Sequence, residues 1–287
     1  MRRLSAAITL MLLIFHSAGA QEKSDREKAG LHGPVRSVRS ETIDYRNETL
    51  KISLGTTERE SVTYDEKGNQ IERITDLMGL VGKEVRSYDT NGNLTQSVLS
   101  DDTGALERRV YAYENGKLMR IVSYDADGKV EIMEVNSYGK DGRLLEAKYV
   151  NGKRSLGKTI YKHDEQGNLS EVAFYLGGAK SIAPVGPCQG EHRITYTYDA
   201  QRNPTKIVFY EPNGKVKQRW QYSYDAKGLV TTHILEYYSL KQTFIYVYEY
   251  DSRGNWIRKT ATKDLGSNDF PEASKATSVT SREISYY

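Results

Sequence analysis

The chain has 287 residues, with 41 lysines and arginines against 38 aspartates and glutamates, and a formal net charge of +3 at pH 7. Charges of both signs alternate along the chain without a basic block, which argues against nucleic-acid binding. An aromatic content of 10%, including 22 tyrosines, argues against a disordered chain.

The first 20 residues have the features of a secretory signal peptide. Two arginines precede an apolar run that ends near Phe15, and Ala18-Gly19-Ala20 has the small-x-small pattern that signal peptidase accepts. The run is shorter than the roughly 20 apolar residues of a membrane-spanning helix, and no other segment is apolar enough to span a membrane. We therefore predict a secreted or periplasmic protein that is cleaved after Ala20 and has a flexible mature N-terminus over residues 21–30.

A tyrosine–aspartate motif recurs through the middle of the chain. Successive anchors are 24, 25, 25, 25, 35, 26 and 26 residues apart, and the long interval holds an insertion at residues 177–192. Weaker copies lie between the anchors, so turn signals and short strands alternate, which predicts an antiparallel meander of about sixteen strands. The anchors are Tyr64, Tyr88, Tyr113, Tyr138, His163, Tyr198, Tyr224 and Tyr250.

The residues of the motif are typical of a tight turn. The aspartate side chain accepts backbone N–H groups a few residues later, and the glycine takes the positive φ of a type I turn followed by a bulge. We assign this turn role to Tyr64, Asp65, Gly68, Tyr88, Asp89, Gly92, Tyr124, Asp125, Gly128, Tyr224, Asp225, Gly228, Tyr250, Asp251 and Gly254.

Alternation along the strands places aromatic residues on one face, for example Trp220 with Tyr222, and Phe244 with Tyr246 and Tyr248. If the repeats stay in register, the anchor tyrosines stack into a ladder across the sheet. Because open sheets of more than about ten strands usually curl, we predict one long, curved or spiralling antiparallel sheet and leave its closure open. A β-propeller is the rival fold, but propeller repeats are longer, at roughly 40–50 residues.

The Tyr-Asp-x-x-Gly-Asn-Leu segments resemble those of the RHS/YD-repeat family over about residues 60–260. Members of that family wind hairpins as a spiralling sheet into a hollow shell, and the large members hold a C-terminal toxin domain inside it. This chain is too short for a complete shell and has no toxin domain after its last repeat, so it is more similar to small secreted YD-repeat proteins of bacterial envelopes. We predict a single YD-repeat domain over residues 31–287, with an inserted loop at 177–192, a polar loop at 264–280 and a terminal strand at 281–287.

The sequence contains no recognisable catalytic or metal-binding motif. Its histidines form no H-x-x-x-H pair, and no G-x-S-x-G, P-loop or G-x-G-x-x-G segment occurs. Cys188 and His192 in the inserted loop are the one pairing that suggests a nucleophile. Asp125 and Asp127 resemble part of a calcium loop, but the turn explains the same residues. We therefore predict no enzyme activity, no metal and no cofactor.

Three functions remain, in order of preference. The first is a non-catalytic binding or interaction module of the cell envelope, which contacts a protein or a glycan through aromatic residues. The second is a structural or self-assembling β-sheet spacer whose exposed edges pair between molecules. The third is an enzyme that uses Cys188 and His192. The binding residues predicted for the first function are Tyr237, Tyr238, Tyr246 and Trp256.

Overall fold

The computed structural model describes residues 23–45, 57–177, 193–238, 240–264 and 275–287. The predicted signal peptide over 1–20 and the inserted loop from residue 178 onwards lie outside these ranges. In the described part of the chain, no helix is long and apolar enough to cross a membrane.

The described residues form one short helix and 18 β-strands, so the predicted all-β class is confirmed; sixteen of the strands lie between residues 57 and 264, where the anchors from Tyr64 to Tyr250 predict about sixteen. Valine, isoleucine, threonine and tyrosine are frequent in the strands, as expected for residues that fit a pleated sheet. The elements are α1 (Asp25–Lys28), β1 (Val35–Tyr45), β2 (Thr57–Tyr64), β3 (Gln70–Leu77), β4 (Leu80–Tyr88), β5 (Leu94–Asp101), β6 (Gly104–Glu114), β7 (Lys117–Tyr124), β8 (Val130–Tyr138), β9 (Leu144–Asn151), β10 (Arg154–His163), β11 (Leu169–Leu176), β12 (Arg193–Tyr198), β13 (Pro204–Tyr210), β14 (Val216–Tyr224), β15 (Val230–Tyr237), β16 (Leu240–Tyr250), β17 (Trp256–Asp264) and β18 (Lys275–Tyr286).

Helix α1 lies in the stretch over 21–30 that the sequence predicts to be flexible. Ser24 caps the helix: its side chain accepts from Glu27 N, and the Glu27 carboxylate accepts from Ser24 N at 2.8 Å. Arg26 N also donates to Gly68 O at 2.9 Å, which ties the helix to the turn after β2. The structure therefore has a helix within the predicted flexible segment, because the capping box and this long-range bond hold it.

The sheet is closed. Each strand pairs antiparallel with its neighbours in the chain, and β1 pairs with β2 on one side and β18 on the other. The closing register runs from Val35 opposite Tyr286 to Tyr45 opposite Thr277. The antiparallel meander is thus confirmed, but the spiralling form is wrong, because the last strand returns to the first. Closure pairs the N–H and C=O groups that an open sheet leaves exposed along two edge strands.

Most tyrosine–aspartate turns gather at one end of the closed sheet, which we call the motif rim. Between β2 and β3, Gly68 N donates to Asp65 O at 3.0 Å, and Asp65 N donates to Asn69 O at 2.9 Å. Gly68 has φ +89°, a left-handed conformation that glycine adopts without strain, and the ladder shifts register at Tyr64. The turn after Tyr124, between β7 and β8, lies at the opposite end, which we call the hairpin rim.

The chain returns to β1 through a strand that is longer than expected. The sequence predicts a polar loop over 264–280 and a terminal strand over 281–287, but β18 begins at Lys275 and has 12 residues. It extends this far because it pairs with β17 on one side and β1 on the other. Residues 265–274 of the predicted loop lie outside the described ranges.

Buried apolar side chains gather mainly in two separate clusters, and most other inward-facing side chains are half-buried. A closed antiparallel sheet of about 16–18 strands is too wide for side chains to fill. The sheet therefore encloses a lumen. The buried residues of the first cluster, on β9–β12, are Ala147, Tyr149, Tyr161, Leu169, Val172, Phe174 and Ile194. Those of the second, at the motif rim, are Leu31, Val35, Val38 and Tyr64.

Candidate functional site

The two faces of the closed sheet carry different side chains, which alternate between the outside and the lumen along each strand. The outer face carries cross-strand ion pairs, such as Lys83 with Glu72 and Lys162 with Glu171, both at 2.7 Å. Exposed pairs of this kind add little to stability. Aromatic rings and half-buried charges come together on the inner face, which is where the candidate site lies.

Strands β13–β17 present a continuous aromatic surface to the lumen, which we call the luminal aromatic wall. The register places His233 between Tyr222 and Phe244. The His233 ring stacks on both neighbours, with centroid distances of 4.6 Å to Tyr222 and 5.4 Å to Phe244. Such pairs add roughly 0.5–1.5 kcal/mol beyond area burial. The wall consists of Phe209, Trp220, Tyr222, His233, Phe244, Tyr246, Tyr248 and Trp256.

Two ring nitrogens of the wall have no hydrogen-bond partner. Trp220 Nε1 and His233 Nε2 are buried and unpartnered within the described residues, and the two rings meet edge to face at 5.7 Å. Burial lowers the pKa of His233 below its usual value, which favours the neutral imidazole at neutral pH. Both nitrogens are enclosed by protein, so the wall presents ring faces rather than these atoms to the lumen.

A cavity of about 180 Å³ lies beside the wall, between β17, β18, β1 and β2. The guanidinium carbon of Arg282 lies 3.3 Å from the centroid of the Trp256 ring, and Lys259 Nζ lies 5.6 Å from it. The Tyr248 ring meets Trp256 at 5.9 Å, so the cavity continues the luminal aromatic wall. The lining residues are Ser40, Thr42, Glu58, Glu60, Trp256, Lys259, Thr280 and Arg282.

Arginines on the inner face of β3, β4 and β6 are each bonded to a glutamate. Half-buried ion pairs of this kind neutralise both charges, so these arginines are already satisfied within the protein. The pairs are Arg73 with Glu60 at 2.5 Å, Arg86 with Glu84 at 3.0 Å, and Arg109 with Glu107 at 2.7 Å.

The structure separates the four aromatic residues that the sequence predicts to bind. Tyr246 and Trp256 face the lumen within the aromatic wall, and Lys259 Nζ lies 5.8 Å from the Tyr246 ring centroid. Tyr237 and Tyr238 lie instead at the turn between β15 and β16 on the hairpin rim, with ring centroids 4.5 Å apart. Tyr238 is 67% exposed. The four residues therefore form no single surface.

The residues assigned a turn role lie at the strand ends. Tyr64, Tyr88, Tyr224 and Tyr250 end strands at the motif rim, and Tyr124 ends β7 at the hairpin rim. The motif glycines have φ between +78° and +89°. None of these residues lines the cavity.

Cys188 and His192, the pair suggested for catalysis, lie outside the described residues, so the enzyme alternative stays a prediction. Within the described ranges, no group of three or more histidine, cysteine, aspartate or glutamate side chains is arranged to hold a metal ion. One oxygen of the Asp125 carboxylate, Oδ1, accepts from Asp127 N at 3.1 Å and from Lys129 N at 2.9 Å, so the turn uses this oxygen of the calcium-like segment.

Sequence reasoning did not select Lys259 or Arg282. Alternation alone could have placed Arg282 inward, because it lies two residues before Ile284, which packs against the motif-rim cluster. No motif marks such a cation, however. Whether an acidic side chain lies beside Arg282 depends on which strands neighbour β18 in the closed sheet.

Comparison with known proteins identifies the repeat. The family model described as Teneurin YD-shell matches residues 36–264 of this chain. A search of curated proteins found no match.

Among solved structures, the chain is similar to a porin-like protein from Bacteroides uniformis at 13% identity and a TM-score of 0.46, with 88% of this chain and 98% of that chain covered. It is similar to a chain of the Photorhabdus luminescens Tc holotoxin pore at 15% identity and a TM-score of 0.35, covering 80% of this chain and 14% of that one. A third likeness, at 9% identity and a TM-score of 0.29, is to a putative outer membrane lipoprotein-sorting protein domain from Vibrio parahaemolyticus, with 91% and 89% covered. The family match, by contrast, covers most of the chain in sequence.

Proposed function

We propose that this chain, which belongs to the Teneurin YD-shell family, is a non-catalytic binding module of the cell envelope that holds a glycan in its lumen. The observation that supports this function is the luminal aromatic wall, where aromatic rings of five adjacent strands share one inner face. The predicted leader over residues 1–20 supports a periplasmic or extracellular location.

A glycan fits this surface because sugar rings combine apolar C–H faces with polar hydroxyl edges. Ligand sites generally join aromatic walls to a few placed polar groups. The wall supplies the rings, and the cavity beside it supplies polar side chains, among them Lys259, Thr280 and Arg282. At about 4.8 Å between neighbouring strands, β13–β17 span roughly 20 Å, which suits an elongated ligand.

The self-assembling spacer, the second function considered, needs unpaired edge strands. Every strand in the described ranges has a partner on both sides, because β1 pairs with both β2 and β18. A closed sheet has no edges through which molecules could pair. The arrangement therefore favours the binding function over the spacer.

Binding of the purified protein to an array of bacterial-envelope glycans and peptidoglycan fragments tests the proposal. We expect a saturable hit whose affinity falls about tenfold or more in Tyr246→Ala, because a central aromatic residue of an interface typically contributes about 2 kcal/mol. Tyr238→Ala is the matched control, since it removes the same side chain from an exposed turn outside the lumen. Its affinity should be unchanged.

Two results would contradict this function. An equal loss in both variants, or a loss in Tyr238→Ala alone, would place binding at the hairpin rim. A blank array from a folded, all-β sample would count against glycan binding and favour a protein partner.

A further inference from the structure

Two cations on the inner face, Lys259 of β17 and Arg282 of β18, have no carboxylate oxygen within 4.0 Å in the part of the chain that the structure describes. Three other inward arginines, on β3, β4 and β6, are each bonded to a glutamate. The buried Nε of Arg282 also has no hydrogen-bond partner among the described residues. These two side chains therefore have donors that the protein itself does not use.

The two charges oppose each other. Arg282 and Lys259 both lie over the ring of Trp256, at 3.3 and 5.6 Å from its centroid. Burial lowers the pKa of Lys259, and the charge of Arg282 lowers it further. Burial lowers the pKa of Arg282 to about 10, so the guanidinium is still charged at neutral pH. Half-buried like charges are unfavourable unless an anion lies close to both.

The acids of the cavity lie on its far side, on β2. Glu60 is bonded to Arg73 at 2.5 Å, and Glu58 is exposed. Between the acids and the cations, the hydroxyls of Thr42 and Thr280 bond to each other at 2.9 Å. The charge of Glu60 acts on Arg282 from across the cavity without an ion pair, so positive charge is concentrated on the β17–β18 side.

We propose that this cavity is an oxyanion site, in which Lys259 Nζ and the guanidinium group of Arg282, which both line it, bind a carboxylate or phosphate group. The inference rests on the proposed function and deepens it: the ligand is an acidic glycan whose rings lie along the luminal aromatic wall and whose charged group lies beside Trp256. The Trp256 ring holds the guanidinium plane, which prepares Arg282 for a planar or tetrahedral oxyanion. Since a water molecule takes up about 30 Å³ of the liquid, a cavity of about 180 Å³ has room for such a group.

The test measures the melting temperature and the binding affinity of the full protein with two kinds of probe. One is inorganic phosphate. The other is a matched pair of oligosaccharides, of which one contains glucuronate where the other contains glucose. We expect phosphate to raise the melting temperature above that in chloride of equal ionic strength. We expect the glucuronate oligosaccharide to bind about tenfold more tightly than its neutral counterpart, because hydrogen bonds to charged groups are strong.

Lys259→Gln and Arg282→Gln should each remove both effects, namely the rise in melting temperature with phosphate and the tighter binding of the glucuronate oligosaccharide. Lys206→Gln is the matched control, because it removes one positive charge from an exposed position on the outer face of β13. It should keep both effects. Lys259→Gln should also raise the melting temperature of the ligand-free protein, since it removes the repulsion from Arg282. A lysine with a purely structural role would give the opposite change.

Phosphate and glucuronate effects that persist in Lys259→Gln would overturn the oxyanion site. A second outcome is that the two oligosaccharides bind equally tightly, and that this binding is lost in Tyr246→Ala but kept in Lys259→Gln. That outcome would overturn the oxyanion site and leave glycan binding in place. A phosphate effect that depends on Lys259, with no binding of either oligosaccharide, would support the oxyanion site and overturn the glycan function.

Discussion

At the scale of single residues, the tyrosine–aspartate turns are closed by an aspartate that binds the backbone after it. One oxygen of Asp89 accepts from Asn91 N at 2.9 Å and from Asn93 N at 2.8 Å, while the other accepts from Asn93 Nδ2 at 2.8 Å. These bonds from Asn93 hold the pKa of Asp89 below its usual value. Aspartate and asparagine recur here because short side chains that bond to nearby backbone favour turns.

Arg202 marks a strained copy of this turn. It occupies the glycine position of neighbouring turns and has φ +67°, a conformation that costs a non-glycine residue roughly 1–2 kcal/mol. We expect Arg202→Gly to raise the free energy of unfolding by about 0.5–1 kcal/mol, because glycine adopts this φ freely but loses more entropy on folding. Chemical denaturation at neutral pH measures the change.

Gly92→Ala is the matched control, in the turn between β4 and β5. Gly92 has φ +87° and nothing lies within 4 Å of an added Cβ, so the backbone conformation accounts for the cost. We expect a loss of about 1 kcal/mol. If Arg202→Gly instead lost stability, the arginine side chain would be making contacts that outweigh its backbone strain.

At the scale of strands and hairpins, several tyrosine hydroxyls tie a hairpin to the one before it. Tyr198 at the end of β12 donates to Leu169 O at 2.8 Å, and Tyr224 at the end of β14 donates to Pro204 O at 2.7 Å. The sequence predicts a ladder of stacked tyrosine rings. In the structure, these anchors reach the preceding hairpin through a hydrogen bond to the first residue of a strand. The phenol group, rather than ring stacking, therefore explains why tyrosine recurs at these positions.

These tyrosines make stability depend on pH in the alkaline range. Burial raises the pKa of Tyr224 from 10.0 to about 12, and the Asp199 carboxylate adds to the rise. Because the folded pKa is the higher one, the stabilisation is complete below pH 10 and is lost as the pH rises from 10.0 to about 12. We expect the free energy of unfolding to fall over this range, as measured by denaturant titration at fixed pH.

Tyr224→Phe isolates one such bond. At neutral pH it should lower the free energy of unfolding by about 1 kcal/mol, because Pro204 O loses its donor. Above pH 10 it should lose less stability than the wild type, since one titrating group is gone. A variant as stable as the wild type at neutral pH would mean that water replaces the phenol hydroxyl.

At the scale of the whole molecule, the closed sheet joins the two ends of the described chain. Ser37 of β1 and Ser285 of β18 lie opposite each other, with their hydroxyl oxygens 2.6 Å apart. Opposed residues of an antiparallel pair have Cα atoms about 4.5–5.5 Å apart, a separation that suits a disulfide. Cysteines at these two positions therefore report directly on closure.

We expect Ser37→Cys with Ser285→Cys, made in a Cys188→Ser chain, to form a disulfide within one molecule and to stabilise the fold by about 2–4 kcal/mol. Non-reducing electrophoresis and thiol titration detect the bond. Ser37→Cys with Ser223→Cys is the control, because β14 does not neighbour β1. No bond in the first pair, or equal bonding in the control, would contradict the closed sheet.

The spacing of the turn motif was enough to predict the strands between Tyr64 and Tyr250, because each motif is a local signal. Closure depends on β1 and β18, which carry no motif and pair across nearly the whole chain. No local signal predicts such a contact. The stretch from Lys275 was predicted as a loop for the same reason: it is a strand because it has a partner on each side.

The candidate site was predictable in part. Alternation places Tyr246 inward with its neighbours Phe244 and Tyr248, so one stretch of the luminal aromatic wall is visible in the sequence. Tyr237 and Tyr238 have the same aromatic character, but β15 ends at Tyr237 and the chain turns at Tyr238, so both lie at the hairpin rim, away from the wall. The sequence does not reveal the two cations of the cavity, Lys259 and Arg282. Whether an acidic side chain lies beside them depends on how β17 and β18 meet β1 and β2, which come from the opposite end of the chain.

The hydrogen bond between the hydroxyls of Ser37 and Ser285 links residues 248 positions apart, which has a consequence for folding kinetics. Closing so long a loop costs about 5 kcal/mol of chain entropy, whereas hairpins form locally within about 1–10 μs. Hairpins can therefore assemble one after another, but the ring joins only when β18 reaches β1. Until that moment two bare edges are exposed to other chains. The closing step thus ends the period during which these edges are open to aggregation.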